Sequence, residues 1–319
     1  MRPREAMKHS DSGFHHETLF YEGEDGFVDG TLPFLTEAVA NGEPVLVAVG
    51  NDKIEMLKEM LGSHAERVLF TDMRVLGGNP ARIIPAWRQF LDDYAGDGRA
   101  VRGIGEPIWP GRAPQELSEC QRHESLLNIA FDGGQAWRLL CPYDLGGLDE
   151  DVIEAARRSH PFIAQDGANS RSEAYLHSHE APDPFDGSLP SPSSQPYELA
   201  FSREDLATLR RFVSQRAAEA CLDAGQIDDL VLAVDELASN SVLHGGGGGT
   251  LRVWRETDRL LCEVRDSGHI TKPLVGRIRP TPDQHTGRGL WLANHLCDLL
   301  QIRSSPAGSV VRAHMRLAW

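Results

Sequence analysis

No stretch of about 18 consecutive apolar residues occurs in this chain, so no transmembrane helix is read from it. Arg2, Arg4, Glu5 and Lys8 are not followed by an apolar run either, so no signal peptide is read at the N-terminus. Cysteine is sparse: Cys120, Cys141, Cys221, Cys262 and Cys297 are an odd set without a C-x-x-C pair. Free thiols in a reducing cytoplasm are the expectation. Positive charge is in deficit, with 32 Lys and Arg against 47 Asp and Glu and a formal net charge of −15. Such a surface repels phosphate backbones and anionic headgroups, which sets aside direct nucleic-acid binding and membrane docking. A basic or mixed-charge protein partner remains open. No H-E-x-x-H or similar metal-hydrolase spacing is present, and no internal repeat.

What is present fits a soluble globular chain: 40% hydrophobic and 25% charged residues. Its 319 residues suggest two domains, each with its own core. Residues 1–15 are polar and read as disordered. The run Val45-Leu46-Val47-Ala48-Val49, then Val68-Leu69-Phe70, Val101–Ile104 and Ala136–Leu140 read as strands. Asp52–Leu61 and Pro80–Ala95 carry helical spacing, the latter with Ile83, Ile84, Trp87, Phe90 and Leu91 on one side. Strands alternating with helices predict an α/β domain with a largely parallel sheet. From about Gln165 to Gln195, Pro182, Pro184, Pro190 and Pro192, with Pro196 just beyond, sit among Ser, Asp, Gly and His, and periodicity is lost, which predicts a linker.

The rest of the chain predicts an α+β sandwich. Ser202, with Asp205 three residues on, caps a helix whose apolar stripe is Leu206, Leu209, Phe212, Val213 and Ala217. A second helix spans about 226–243, strands follow near 250–256 and 260–266, then a helix near 289–300 and strands near 300–303 and 309–317.

Three short patterns carry chemistry. Residues four apart on a helix lie about 40° apart around its axis, so Glu236, Asn240 and His244 share a stripe, with Val234, Leu237 and Ser241 on a neighbouring one suited to packing. A carboxylate and an amide one turn apart can serve Mg²⁺ and a nearby hydroxyl together, because Mg²⁺ takes few protein oxygens and keeps water and phosphate. Asp266-Ser267-Gly268 ends an apolar strand, where a carboxylate can accept from an exocyclic amine such as that of adenine. Thr286-Gly287-Arg288-Gly289-Leu290 opens an apolar helix whose N-terminus offers free N–H groups and the positive dipole end to a polyanion. Each has an ordinary reading too: a solvated polar face, a plain turn, a loop running into a helix. The last is no Walker A loop, since no Gly-Lys-Ser/Thr follows.

In this order, Glu236/Asn240, Asp266-Ser267-Gly268 and Gly287-Arg288-Gly289-Leu290 resemble the N, G1 and G2 boxes of the gyrase/histidine-kinase superfamily, and Glu236-Leu-Ala-Ser-Asn-Ser-Val-Leu-His-Gly245 looks like its anti-sigma-factor serine kinase branch. The resemblance covers about 120 residues. It implies a Bergerat-type sandwich that binds ATP and Mg²⁺. Asn240 would hold Mg²⁺, and Glu236 would orient or deprotonate the attacking hydroxyl as the catalytic residue. Asp266 would bind the adenine amine beside Gly268. Gly287 and Gly289 would cradle the phosphates, with His244, Thr286, Arg288 and Leu290 around the nucleotide and Ser309 near the base. Ser267–His285 would be the ATP lid, its basic residues Lys272, Arg277 and Arg279 standing with Arg288 as candidates for the γ-phosphate.

The N-terminal half is similar to the MEDS (methanogen/methylotroph sensory) family, through His16…Leu19-Phe20-Tyr21-Glu22, Leu32-Pro33-Phe34-Leu35, Gly42-Glu43-Pro44-Val45-Leu46-Val47, Gly105-Glu106-Pro107-Ile108-Trp109 and Cys120-Gln121-Arg122-His123-Glu124. It implies a RecA-like parallel sheet without a P-loop, and sensing rather than catalysis. Glu106, Trp109 and His123 are either ligand-lining or ordinary packing residues.

Together these give domains at 14–165 and 199–319 joined by 166–198. The implied function is a cytoplasmic serine/threonine-protein kinase acting on a STAS-type anti-sigma-factor antagonist, with a sigma factor as a further partner and a dimer as the superfamily's form. The alternative is a non-catalytic, nucleotide-dependent protein-binding switch. A two-component histidine kinase needs an acceptor His on a dimerising helix pair; His160 precedes Pro161, and His177 and His179 lie in the linker.

Overall fold

The computed structural model describes residues 13–165, 168–177, 183–281 and 287–317. They divide into two compact units, the first within 1–74, 88–112 and 127–180, the second within 75–87, 113–126 and 181–319. Each is taken by itself.

The first unit is built on a seven-stranded sheet of β1 (Phe14–Tyr21), β2 (Val45–Val49), β3 (Val68–Asp72), β4 (Arg102–Gly105), β5 (Trp137–Asp144), β6 (Phe162–Gln165) and β7 (Ala168–Arg171). Their order is β3-β2-β4-β5-β1-β6-β7. Every pairing is parallel except β6 with β7. The helices are α1 (Gly23–Asn41), α2 (Asn51–Leu61), α3 (Met73–Leu76), α4 (Ile83–Tyr94), α5 (Pro114–Phe131) and α6 (Glu150–Ser159), of which α3, α4 and α5 run across the division between units. β2 is apolar throughout because it is an interior strand, as parallel strands with both faces covered are. Leu19, Phe27, Leu35, Val47, Leu57 and Ile104 lie at the centre of its core.

The structure departs from the expected elements where polarity hides a strand. β1 begins at Phe14, inside the stretch read as disordered, of which residues 1–12 lie outside the described residues. Its His16, Glu17 and Thr18 are fully buried, so no apolar period marks it. Glu17 is held by Arg138 Nη2 at 2.8 Å. Burial would raise its carboxyl, but bonds to His15 and Arg138 outweigh this and hold it below the ordinary range. The β6–β7 hairpin carries the sheet into the span read as linker, of which 166–167 and 178–182 are not among the described residues.

The second unit holds a five-stranded antiparallel sheet in the order β11-β12-β10-β9-β8. Its strands are β8 (Tyr197–Ser202), β9 (Gly248–Arg255), β10 (Arg259–Asp266), β11 (Leu299–Ser305) and β12 (Gly308–Arg316), and its helices α7 (Leu206–Glu219), α8 (Ala224–His244) and α9 (Arg288–Leu296). Asp205 accepts from Ser202 N at 2.9 Å, the capping expected at the start of the first helix. The core joins Leu209, Val213, Leu230, Val234 and Leu237 of the helices to Leu251, Val253, Cys262 and Ala313 of the sheet. Residues 75–87 and 113–126 join this unit through polar contacts: Arg82 donates to Asn294 O at 3.0 Å and to Cys297 O at 2.8 Å, closing the C-terminus of α9, and Glu119 pairs with Arg303 at 2.8 Å.

On the polar-lined part of the sheet, fully buried Glu263 accepts from Arg252 at 3.2 Å, Arg265 at 2.7 Å and Arg312 at 2.6 Å. Burial would raise its carboxyl, but the bonds from Arg265 and Arg312 outweigh it and hold it below the ordinary range. The unfolded chain therefore binds the extra proton first as pH falls, so the stabilisation is complete above the unfolded carboxyl's pKa and is lost as pH falls through the lower folded value. Glu263→Gln takes the carboxylate away from Arg265 and Arg312, while Arg252 keeps Glu198 at 2.9 Å, and destabilises the protein by about 3 kcal/mol at neutral pH. Urea unfolding across pH 3–7 checks this; equal acid sensitivity in variant and wild type would refute it.

Candidate functional site

α8 is fixed at its start by a reciprocal cap, Asp223 accepting from Gln226 N at 2.9 Å and Gln226 from Asp223 N at 3.2 Å. Leu230, Ala233, Val234, Leu237, Ala238 and Ser241 form its buried stripe. Burying that stripe fixes the rotation of the helix and leaves Glu236 and Asn240 half-buried on its flank, with His244 exposed at its end.

A cavity of about 670 Å³ opens beside α8, lined in part by Asn240, His244, Asp266, Gly268, Gly287, Leu290 and Ser309. Seven of the eleven expected site residues thus meet in one place. Residues 269–272, 274–276, 278 and 280 complete much of the wall, so the segment expected to be a lid does flank the cavity. Thr286, and the lid's end at 282–285, lie outside the described residues.

Glu236, Arg288 and Gly289 are not on the lining. Gly289 nevertheless joins the site from behind. A Cβ at this position would lie 2.7 Å from Glu236 Oε2 and 2.9 Å from Asn240 Nδ2. The first turn of α9 can approach both side chains only because residue 289 has none. Gly287, at φ 86°, takes the left-handed conformation that starts this helix.

Asp266, at the end of β10, is oriented through both oxygens. Oδ1 accepts from Gly268 N at 2.8 Å, and Oδ2 from Ser241 Oγ at 2.5 Å. Ser241 had the pattern of a packing residue; its hydroxyl instead aims the carboxylate, a role that only the meeting of α8 with β10 reveals. Ser309, opposite Asp266 across β10 and β12, donates to Gly268 O at 2.8 Å and meets Ser304 Oγ at 2.8 Å, while Ser304 Oγ accepts from Ile270 N. The Asp-Ser-Gly turn is thus pinned from both sides. Ser304 carried no signal in the sequence.

The basic candidates separate. Lys272 lines the cavity, whereas Arg277 is buried off it, and burial lowers the pKa of its guanidinium. Arg279 is exposed, and Arg288 donates to Thr281 O at 3.3 Å.

In the first unit Glu106 follows β4, buried, with Lys53 at 2.5 Å and the Tyr21 hydroxyl donating at 2.8 Å. Burial raises its carboxyl, and Lys53 only partly offsets this. The Arg112 guanidinium lies 4.1 Å from the centre of the Trp109 ring. His123 is buried on α5. His160 is wholly buried at the end of α6, out of reach as a phosphoacceptor; His179 lies outside the described residues. No helix among the described residues is long and apolar enough to cross a membrane.

Residues 15–161 match the family described as MEthanogen/methylotroph, DcmR Sensory domain, and residues 199–315 match the histidine kinase-like ATPase domain family. No curated protein matches the chain. Among solved structures, the RsbU and RsbW domains of a Mycobacterium tuberculosis protein align at 20% identity and a TM-score of 0.31, over 65% of this chain and 49% of that one. The Acinetobacter baumannii histidine kinase AdeS aligns at 12% identity and a TM-score of 0.22, over 40% of this chain and 70% of that one. The chain thus spans about half the length of the first of these, and overlaps so slight carry no argument about function. The two family matches agree with what the parallel and antiparallel sheets display: the chain joins a MEDS sensory domain to a histidine kinase-like ATPase domain.

Proposed function

We propose that the C-terminal domain binds Mg²⁺ and ATP in the cavity beside α8 and transfers the γ-phosphoryl group to a serine or threonine of a STAS-type anti-sigma-factor antagonist. The MEDS domain biases that activity. In this reading the first sheet is RecA-like, the second domain is a Bergerat-type sandwich, and the domains run over 14–165 and 199–319 with 166–198 between them. The observation that carries it is the convergence of Asn240, Asp266, Gly268 and Gly287 on one cavity of about 670 Å³, a size suited to a nucleotide.

The residues present fit the ligand. Asp266, already aimed by Ser241 and Gly268 N, keeps lone pairs for an adenine amine. The N-terminus of α9 faces the cavity with Gly287 and Leu290 and supplies N–H groups for phosphates. Asn240 is the side-chain oxygen that would reach Mg²⁺, which neutralises phosphate charge when bound and takes its other ligands from water and phosphate. Glu236 stands one turn before Asn240, placed to orient or deprotonate an incoming hydroxyl. Phosphoryl transfer asks a protein mainly for positioning and charge neutralisation, and these residues supply both.

Calorimetry of ATP binding with and without Mg²⁺ tests this. Wild type binds ATP more tightly with Mg²⁺, and Asn240→Ala loses that dependence while remaining folded. Absence of ATP binding to the wild type under both conditions would sink the reading.

A further inference from the structure

The first domain contains a cluster that its sequence spacing conceals. His16 lies on β1, Cys141 on β5, and His160 at the end of α6, two residues before β6. β1 runs between β5 and β6. Thr18 pairs with Cys141 and His16 with Leu139, so His16 and Cys141 stand on the same face of the sheet, two residues apart in register. Their exposures are 0%, 1% and 0% in chain order. Candidate donor atoms of the three lie within 4.8 Å of one another, with His16 Nε2 3.4 Å from Cys141 Sγ and the two imidazole centres 4.1 Å apart.

The ring tautomers decide what this cluster offers. Asn128 Nδ2 donates to Ser159 O at 2.7 Å, which fixes the amide so that its Oδ1 faces His16 Nδ1 at 3.0 Å. Nδ1 of His16 therefore carries the proton, and Nε2 turns a lone pair toward the Cys141 sulfur. His160 Nδ1 lies 2.8 Å from Ala156 O, an acceptor only, so this ring too holds a proton on Nδ1, which leaves Nε2 as the nitrogen that can ligate. Metal-ligating histidines that bind through Nε2 have their Nδ1–H held in this way by a carbonyl or amide oxygen.

We propose that His16, Cys141 and His160 form a buried site for a zinc-class divalent metal ion. Around a tetrahedral Zn²⁺, nitrogen and sulfur ligands stand about 3.4–3.6 Å apart. The His16–Cys141 separation already has that value, and the widest separation in the cluster closes with shifts of about 1 Å. One thiolate with two imidazoles selects zinc-like ions over Mg²⁺ and Ca²⁺, which prefer oxygen. The ion would take the place of the thiol proton, binding Cys141 as a thiolate. It would tie β1 to β5 and to the turn ahead of β6, three segments distant in sequence. The site is separate from the nucleotide cavity, and the proposal does not rest on phosphoryl transfer.

The full chain, produced in zinc-supplemented medium and dialysed, is expected to carry about one zinc per chain by elemental analysis. Co²⁺ added to the chelator-treated protein is expected to give a thiolate-to-cobalt charge-transfer band and the intense d–d bands of tetrahedral geometry. Cys141→Ser abolishes the charge-transfer band, Cys221→Ser keeps it, and Asn128→Ala weakens binding by about 10–100-fold through the loosened His16 ring. A folded wild type that retains no zinc and shows no cobalt–thiolate band overturns the proposal. So does a band that survives in Cys141→Ser. Because the wild-type measurement alone can refute the site, a variant that fails to fold does not protect it.

Discussion

Replacing Glu236 with Gln lowers phosphoryl transfer to the protein substrate by about 10²–10⁴-fold, the usual contribution of a positioned general base, while affinity for Mg²⁺ and ATP stays within a few-fold of wild type. The reason lies in where the carboxylate sits. It is off the cavity lining, behind the first turn of α9, where a Cβ on Gly289 would come within 2.7 Å of its Oε2. In the proposed reading the first turn of α9 holds the phosphates, so a carboxylate packed against Gly289 is assigned to the incoming hydroxyl and not to the base or the sugar. Gln keeps the size and hydrogen-bonding reach of Glu, so packing against Gly289 is retained and the loss isolates proton abstraction or charge. Single-turnover transfer from γ-labelled ATP to a STAS-type antagonist, beside calorimetric ATP binding, separates the two effects. Equal loss of binding and transfer would make Glu236 a nucleotide-holding residue. No transfer from the wild type, with binding intact, would favour a nucleotide-dependent protein-binding switch.

The sequence carried the ATPase domain's elements well because most of them are amphipathic in the ordinary way. α8 shows a helical stripe from Leu230 to Ser241, and β9 and β10 follow it with apolar runs. The helix near the C-terminus was expected to reach residue 300 but stops at Leu296, because Leu299 and Leu300 belong to β11 and are buried in the sheet. An apolar pair reads alike in a buried helix end and a buried strand. β1 escaped for the opposite reason. A central parallel strand carrying His16, Glu17 and Thr18 is stable only because Arg138, Asn128 and Cys141 O satisfy them, and those partners lie more than 100 residues away. The same holds for the site. Asn240, Asp266 and Gly287 could be picked out by local spacing, whereas the use of Ser241 and Ser304 depends on which elements meet. His16, Cys141 and His160 share no local pattern at all, since two neighbouring strands, β1 and β5, and the end of α6 bring them together.

Asp266→Asn is expected to weaken ATP binding by about 10–150-fold, the equivalent of about 1.5–3 kcal/mol for a hydrogen bond to a charged group. Asp266 is held as an acceptor on both sides, from Gly268 N on Oδ1 and Ser241 Oγ on Oδ2. An asparagine amide can satisfy only one of them with its oxygen. If the oxygen stays toward Gly268, the NH₂ group turns to Ser241, whose hydroxyl can rotate and accept, and the remaining acceptor capacity for an adenine amine falls. If the amide turns over, two N–H donors face each other at Gly268, which costs the turn that Ser309 pins from below. Either way the acceptor proposed to read the exocyclic amine is weakened, while Asn240 and Glu236 are untouched. Transfer per bound ATP should therefore match wild type at saturating nucleotide, so the effect falls on KM and not on kcat. Ser241→Ala gives a smaller loss of the same kind, because the charge remains and only its orientation is relaxed. An Asp266→Asn variant with wild-type affinity for ATP would remove Asp266 from the base-recognition role and move the adenine elsewhere in the cavity.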